Sequence, residues 1–278
     1  MTTGGPRSTR RATPPPRPPV PVLLLAGIAI AFFALPFLGL LWRVPWGSAW
    51  SLLTDPASLT ALRLSIECSV LAAVLSLVLG VPLSWVLARH SFPGRRLLRA
   101  LCLLSLVLPP VVAGVALFAA FGRRGMLGGP LSDWFGLHLP FTTAGVVMAQ
   151  TFVAMPFLVL TVEAALRGVD HRPEDAARTL GASSWTVLRR VTLPAIRPAL
   201  IAGTVLAWAR ALGEFGATIT FAGNLPGTTQ TAPLAVYRAL ETDPDQALVL
   251  SVVLITISFA VLLGLRDRWL APPSAVGP

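Results

Sequence analysis

The chain of 278 residues contains no lysine; all 22 of its basic residues are arginine. A phosphate-binding loop of the form GxxxxGK[ST] needs a lysine to hold the β- and γ-phosphates. No such loop is present, so if ATP drives this protein, another chain hydrolyses it. A lysine Schiff base is excluded by the same absence. Charge of either sign is scarce, at 12% of residues, where a soluble domain carries about 25%. There are two cysteines, Cys68 and Cys102, each inside an apolar run. That indicates neither a disulfide framework nor a metal cluster, and both read as small buried hydrophobes. His90, His138 and His171 stand apart without ligand spacing.

What the chain has in abundance is apolar length. It is 54% hydrophobic with a mean hydropathy of +0.73. Several apolar runs approach the roughly 20 residues that a helix needs to cross a bilayer. Residues 1–21 come first and are rich in Pro, Arg, Ser and Thr. Five prolines between positions 14 and 19 cannot sustain a helix, so a disordered or polyproline-II cytoplasmic tail is expected. The run at 22–42 exceeds the h-region of about 7–15 residues of a signal peptide, and no small-residue cleavage site follows it. It reads as the first transmembrane helix. Five further spans are expected at about 62–88, 98–121, 143–166, 196–222 and 246–265. The fold class is therefore all-α, a membrane protein of six transmembrane helices, with a tail at 266–278.

Arginine placement sets the orientation. With the N-terminus inside, the inner segments hold sixteen arginines and the outer segments five: Arg43, Arg63, Arg123, Arg124 and Arg238. Cytoplasmic loops carry the excess of basic residues, so both ends are expected inside. The same bias accounts for the net charge of +10 without nucleic acid as a partner. Trp42, Trp46 and Trp50 suit an outer membrane interface, and residues 121–141 suit a short re-entrant or surface turn.

Prolines punctuate the spans at Pro36, Pro82, Pro109, Pro110 and Pro156. They act either as packing kinks or as breaks that line a pathway, because irregular backbone inside a membrane is tolerated where it faces protein or a cavity. The adjacent Pro109 and Pro110 are the foremost candidate break. The fifth span is rich in Gly and Ala, which lets helices approach closely. It also carries Arg210 and Glu214, four apart on one helix face. An ionisable pair inside a span either fixes helix packing or lines a gate; Glu67 is a possible third partner for Arg210.

One polar stretch stands between the fourth and fifth spans, EDAARTLGASSWTVLRRVTLP at 174–194. Pro173 suits a first helical turn. Glu174 and Asp175 put negative charge at its positive end, Ala176 and Ala177 favour helix, and Gly181 suits its end. The pattern Asp175-Ala176-Ala177, Gly181, Val191, Leu193-Pro194 resembles the cytoplasmic coupling loop of ABC importer permeases. That family has Glu and Ile where Asp175 and Val191 stand here, and Glu174 supplies a carboxylate one position early.

The stretch ARALGEFGATITFAGNLPGTTQTAPLAVY at 209–237 resembles molybdate permeases, which carry GEFGAT, FAGN-P-G-T-T and PLA-Y. The resemblance covers about residues 60–265 and implies a type-I ABC importer permease fold with its coupling loop at 167–195. It implies a transmembrane subunit that translocates molybdate, with sulfate, thiosulfate or tungstate as alternative cargo. A proton-coupled secondary transporter using Arg210, Glu214 and Glu67 is the alternative from another class. No catalytic residue, metal or cofactor is expected on this chain; ATP-Mg belongs to a partner. The implied partners are two ATPase subunits, a second copy of this chain and an extracytoplasmic molybdate-binding protein, all at a bacterial plasma membrane. Glu174, Asp175, Ala176, Ala177, Gly181, Ala182 and Pro194 are the candidate ATPase contacts. Arg210, Glu214, Thr218, Thr220 and Asn224 are the candidate gate or pathway residues. A doubly charged oxyanion needs hydrogen-bond donors along its path, which Thr218, Thr220 and Asn224 offer.

Overall fold

A computed structural model describes residues 19–269, the last five by backbone alone. The expected N-terminal tail, with Arg7, Arg10, Arg11 and Arg17, lies outside the described residues except where the first helix has already begun. The C-terminal tail from 270 onward lies outside them as well. The described residues are helical and contain no strand. The chain divides into two units after Arg43.

The first unit is one helix, α1 (Val20–Arg43). Its 24 residues include Pro36, and none is buried. Phe32, Phe33 and Leu35 stand open, and the helix is apolar enough to cross a membrane.

The second unit begins with the short α2 (Ala49–Leu53) and then α3 (Pro56–Arg89). Asp55 caps α3 by accepting from the amides of Ala57 at 3.0 Å and Ser58 at 3.4 Å, and Pro56 occupies the first turn. At 1.5 Å per residue its 34 residues run about 51 Å, well past the roughly 30 Å of hydrocarbon. One face is small and buried: Ala61, Ser65, Cys68, Ser69, Ala72, Ser76 and Ser84. The other exposes Leu71, Val74, Val78 and Leu79. On the packed face Ser84 Oγ donates to the Gly80 carbonyl at 2.6 Å and to Val159 at 3.2 Å, whereas the buried Ser76 hydroxyl has no hydrogen-bond partner.

The expected third span is divided into α4 (Arg95–Val107) and α5 (Pro110–Phe121). Leu108 and Pro109 are both extended between them. Proline disfavours α geometry in the residue before it and lacks the N–H to continue a helix, and two in succession end one helix and start the next. The segment after α5 then forms α6 (Gly128–Phe135), a surface helix.

The centre of the unit is α7 (Thr143–Gly168), buried over most of its length. Thr142 caps it, accepting from the Gly145 amide at 3.1 Å. It packs chiefly against α3 and against α11 (Arg197–Leu212), through Cys68, Ala72, Val146, Ala154, Leu158, Val162, Ala207 and Ala211. Trp208 Nε1 ties α11 to α3 by donating to Ser69 Oγ at 2.9 Å.

Between α7 and α11 lie α8 (Arg172–Thr179), α9 (Ser184–Val187), a π-helical turn (Leu188–Thr192) and α10 (Leu193–Ala195). The chain bends by 74° from residues 184–195 into α11. Beyond α11 the expected fifth span is interrupted: α12 (Gly216–Phe221) starts after a break at 213–215. Finally α13 (Ala232–Thr242) packs on α14 (Pro244–Trp269). Helix continues through 269, so the first residues assigned to the C-terminal tail extend the last helix. Four helices, α1, α3, α7 and α14, are each long and apolar enough to cross a membrane unaided.

Candidate functional site

Two sets of residues stand out, one on the polar loop between α7 and α11 and one where α11 breaks. In the loop, α8 is closed at its C-terminus, while no side chain of the preceding residue caps its start. Pro173 and the acidic Glu174 and Asp175 lie in its first turn. At its C-terminus the Ala182 amide donates to the Ala177 carbonyl at 3.0 Å and the Gly181 amide to Arg178 at 2.9 Å. That pairing satisfies the last carbonyls and needs a left-handed residue at its corner; Gly181, with φ of +86°, supplies it. Ser183 then caps α9, accepting from the Thr186 amide at 3.2 Å.

Glu174 faces the bundle and is buried. It accepts from Arg89 Nη2 at 2.9 Å and from Thr192 Oγ1 at 2.8 Å, and His171 lies against the same arginine. One carboxylate thus joins the start of α8, the last turn of α3 and the π-helical turn before α11. The outward side is different. Asp175 is exposed and pairs with Arg178 at 3.3 Å, and Ala176 is exposed beside it. Leu180, at the turn after α8, is 88% exposed. Ala177 and Ala182 are half-buried, and Pro194 sits in α10.

At the break after α11, Arg210 and Glu214 meet at 2.5 Å. Glu214 is 1% exposed, and its other oxygen accepts from the Ala217 amide at 2.7 Å. The carboxylate therefore spans the interruption: it neutralises the arginine at the end of α11 and caps the first turn of α12. Glu67 lies elsewhere and pairs with Arg63 at 2.6 Å. Among the described residues no ion pair joins it to Arg210, so the possible third partner does not meet the pair here.

Helix α12 packs on α5 at very short range. A Cβ on Gly216 would lie 2.7 Å from Pro110 Cβ, and one on Gly114 would lie 2.6 Å from Thr220 Cβ. Each broken span thus gives one glycine to the close contact, Gly114 beneath Thr220 and Gly216 beneath Pro110. Thr220 Oγ1 donates to the Gly216 carbonyl at 2.8 Å, and Asn224 Oδ1 accepts from Gln230 Nε2 at 2.9 Å. Thr218 is fully buried and its hydroxyl has no hydrogen-bond partner.

Three functional candidates escaped the sequence reading. Arg89 and Thr192, the partners of Glu174, lie 85 and 18 residues from it, and no local spacing signals either. Gln150, in the middle of α7, is fully buried with both amide atoms unpartnered. Its signal was present, because a carboxamide in an otherwise apolar span is costly without a purpose.

Comparison with known proteins adds to this geometry. Residues 80–273 match the family model described as "Binding-protein-dependent transport system inner membrane component". The molybdenum transport system permease protein ModB of Mycobacterium tuberculosis is 48% identical over 255 residues, covering 92% of this chain and 96% of that protein. The protein of that name from Escherichia coli K12 is 46% identical, covering 79% and 96%. The sulfate transport system permease protein CysT of the same organism is 35% identical, covering 81% of each. Among solved structures, a bacterial alginate ABC transporter in complex with a pentasaccharide-bound periplasmic protein aligns with a TM-score of 0.71 at 16% identity. It covers 89% of this chain and 92% of that one.

Proposed function

We infer the function from one premise: the chain belongs to the family of binding-protein-dependent transport system inner membrane components. It is the membrane-spanning permease subunit of an ATP-driven importer, and its cargo is molybdate. Two relatives named for molybdenum transport, at 48% and 46% identity, support that cargo over sulfate, whose permease is more distant at 35%. The chain is not an enzyme; ATP hydrolysis belongs to a partner ATPase, and a periplasmic binding protein delivers the anion.

The observation that carries the reading is the two-sided build of α8. Its inner side is anchored through Glu174 to Arg89 and Thr192, while its outer side presents Leu180 bare to solvent. With Trp185, 68% exposed on α9, Leu180 gives this loop two large bare apolar side chains, which supports a contact surface there. In this proposal Leu180, with Asp175 and Ala176, seats in a groove of the ATPase. Two copies of the permease pair around the path, each engaging one of two ATPase subunits. Both ends of the chain and α8 lie in the cytoplasm, six spans cross a bacterial plasma membrane, and residues 121–141 and 223–245 face outward.

Motion imposed on α8 passes through Glu174 to α3 and to the start of α11. The far end of α11 is linked by Glu214 to α12, which rides on α5 at Gly114. A displacement at the loop thereby reaches both broken spans. Just past the break after α11 the unpartnered Thr218 offers a neutral donor, and the unpartnered Gln150 on α7 offers another. Glu214 does not repel an oxyanion because Arg210 neutralises it. Donors without formal charge bind a dianion weakly, as a conduit requires.

The test is uptake in a strain deleted for this gene. Loss of labelled molybdate uptake with sulfate uptake intact is the expected result. Intact molybdate uptake with sulfate uptake lost overturns the cargo.

A further inference from the structure

We propose that a cavity of about 430 Å³ between the start of α4 and the end of α7 binds the phosphate headgroup of an anionic membrane phospholipid. The proposal rests on the cytoplasmic placement of the α8 end of the bundle. Four arginines line the cavity, Arg95, Arg96, Arg99 and Arg167. Glu163 is the carboxylate that meets them; it is 6% exposed and pairs with Arg99 and, at 2.8 Å, with Arg167. That leaves an excess of positive charge. Among the described residues Arg95 and Arg96 have no ion pair, and Arg95 Nε is buried without a hydrogen-bond partner.

The backbone adds to this. Gly94 turns the chain into α4 with φ of +89°, and no side chain caps the helix start. The Arg95 amide donates to the Phe92 carbonyl at 3.3 Å, which leaves the amides of Arg96 and Leu97 and the positive end of the 13-residue helix α4 for an anion. Arginine is suited to phosphate, which it holds in a two-pronged geometry.

The neighbouring face of α4 points to the occupant. Leu97, Leu101 and Leu104 follow Arg96 and are 65%, 56% and 47% exposed. Spaced by four and three residues, they form an apolar face turned away from α7 and outside the cavity lining. In this proposal that face meets acyl chains, which sets the arginines at its foot at headgroup level, where anionic phospholipid is the phosphate at hand. Arg89 and α8 occupy the same end of the bundle, joined by the Glu174 ion pair, so an anchored lipid would brace the side of the molecule that the loop moves.

The experiment uses the complete importer, permease with ATPase, in phosphatidylcholine nanodiscs doped with spin-labelled phosphatidylglycerol or spin-labelled phosphatidylcholine. The readout is the motionally restricted fraction of each label. Phosphatidylglycerol is expected to be retained preferentially, with the preference falling about fivefold for each arginine removed. R95Q/R96Q tests the pair. R96Q alone, at an exposed position, tests the site with minimal risk to folding, and R123Q/R124Q removes equal charge from another loop and retains the preference. Equal restriction of the two lipids in the unaltered importer overturns the proposal. So does R96Q indistinguishable from it, or release of the restricted label by inorganic phosphate, which assigns the cavity to a soluble anion.

Discussion

Glu214 shows what one side chain does when it serves two helices. Removing Arg210 leaves its carboxylate buried and uncompensated, and breaking a buried pair in this way costs about 3–5 kcal/mol. Arg210→Ala is therefore expected to lower the thermal unfolding midpoint of the detergent-solubilised protein sharply. Glu214→Gln keeps an acceptor for the Ala217 amide and strands only a part-exposed arginine, so its midpoint falls less; the reverse order removes the capping role. Gln150 behaves oppositely. Its amide atoms are buried and unpartnered, so Gln150→Leu relieves a desolvation cost of about 1–3 kcal/mol. The expected result is a midpoint unchanged or raised, with molybdate uptake reduced at least several-fold. Uptake equal to that of the unaltered protein removes Gln150 from the path. The Arg210–Glu214 pair was legible as two opposite charges four apart in an apolar run. The Arg89–Glu174 pair was not, because its partners meet only once α3 and α7 have packed.

At the scale of elements, the proposed transport runs through the broken helices and the polar loop. The break at Pro109 and Pro110 was plain in the sequence because proline removes the helical donor outright. The break after Leu212 was not, since Gly213 and Gly216 weaken a helix by only about 1 kcal/mol each and also read as packing residues. Glu214 turns that weak point into a true interruption by capping the next helix. The π-helical turn at 188–192 was likewise hidden. Pro194 follows it, and the lost donor plus the ring clash with the carbonyl four residues back favour a widened turn there. Two predictions belong here. Gly216→Ala forces a Cβ to 2.7 Å from Pro110, an overpacking of about 1–3 kcal/mol. It is expected to separate α12 from α5 and abolish uptake, while the pull-down of the ATPase is preserved; normal uptake contradicts the tight crossing. Leu180→Ser leaves the fold intact because the side chain touches nothing that it stabilises. ATPase co-purification is expected to drop at least tenfold, and full retention places the docking surface elsewhere.

For the whole molecule, the all-α membrane class followed from apolar run lengths and scarce charge, and the family from the loop at 174–194. Arginine bias gave an orientation in which α8 and the arginine cavity share the cytoplasmic side. Its check is labelling of single cysteines in a Cys68→Ala, Cys102→Ala background. A cysteine at Asp133 is expected to react with an impermeant maleimide from outside intact cells, and one at Arg178 only after permeabilisation; the opposite pattern inverts the orientation. The measurement closest to the central claim is uptake of labelled molybdate into liposomes holding the permease, with the ATPase and the binding protein each present or withheld. The account predicts uptake only when both partners and ATP are supplied, each on its proper side. Uptake driven by a proton gradient through the permease alone contradicts it.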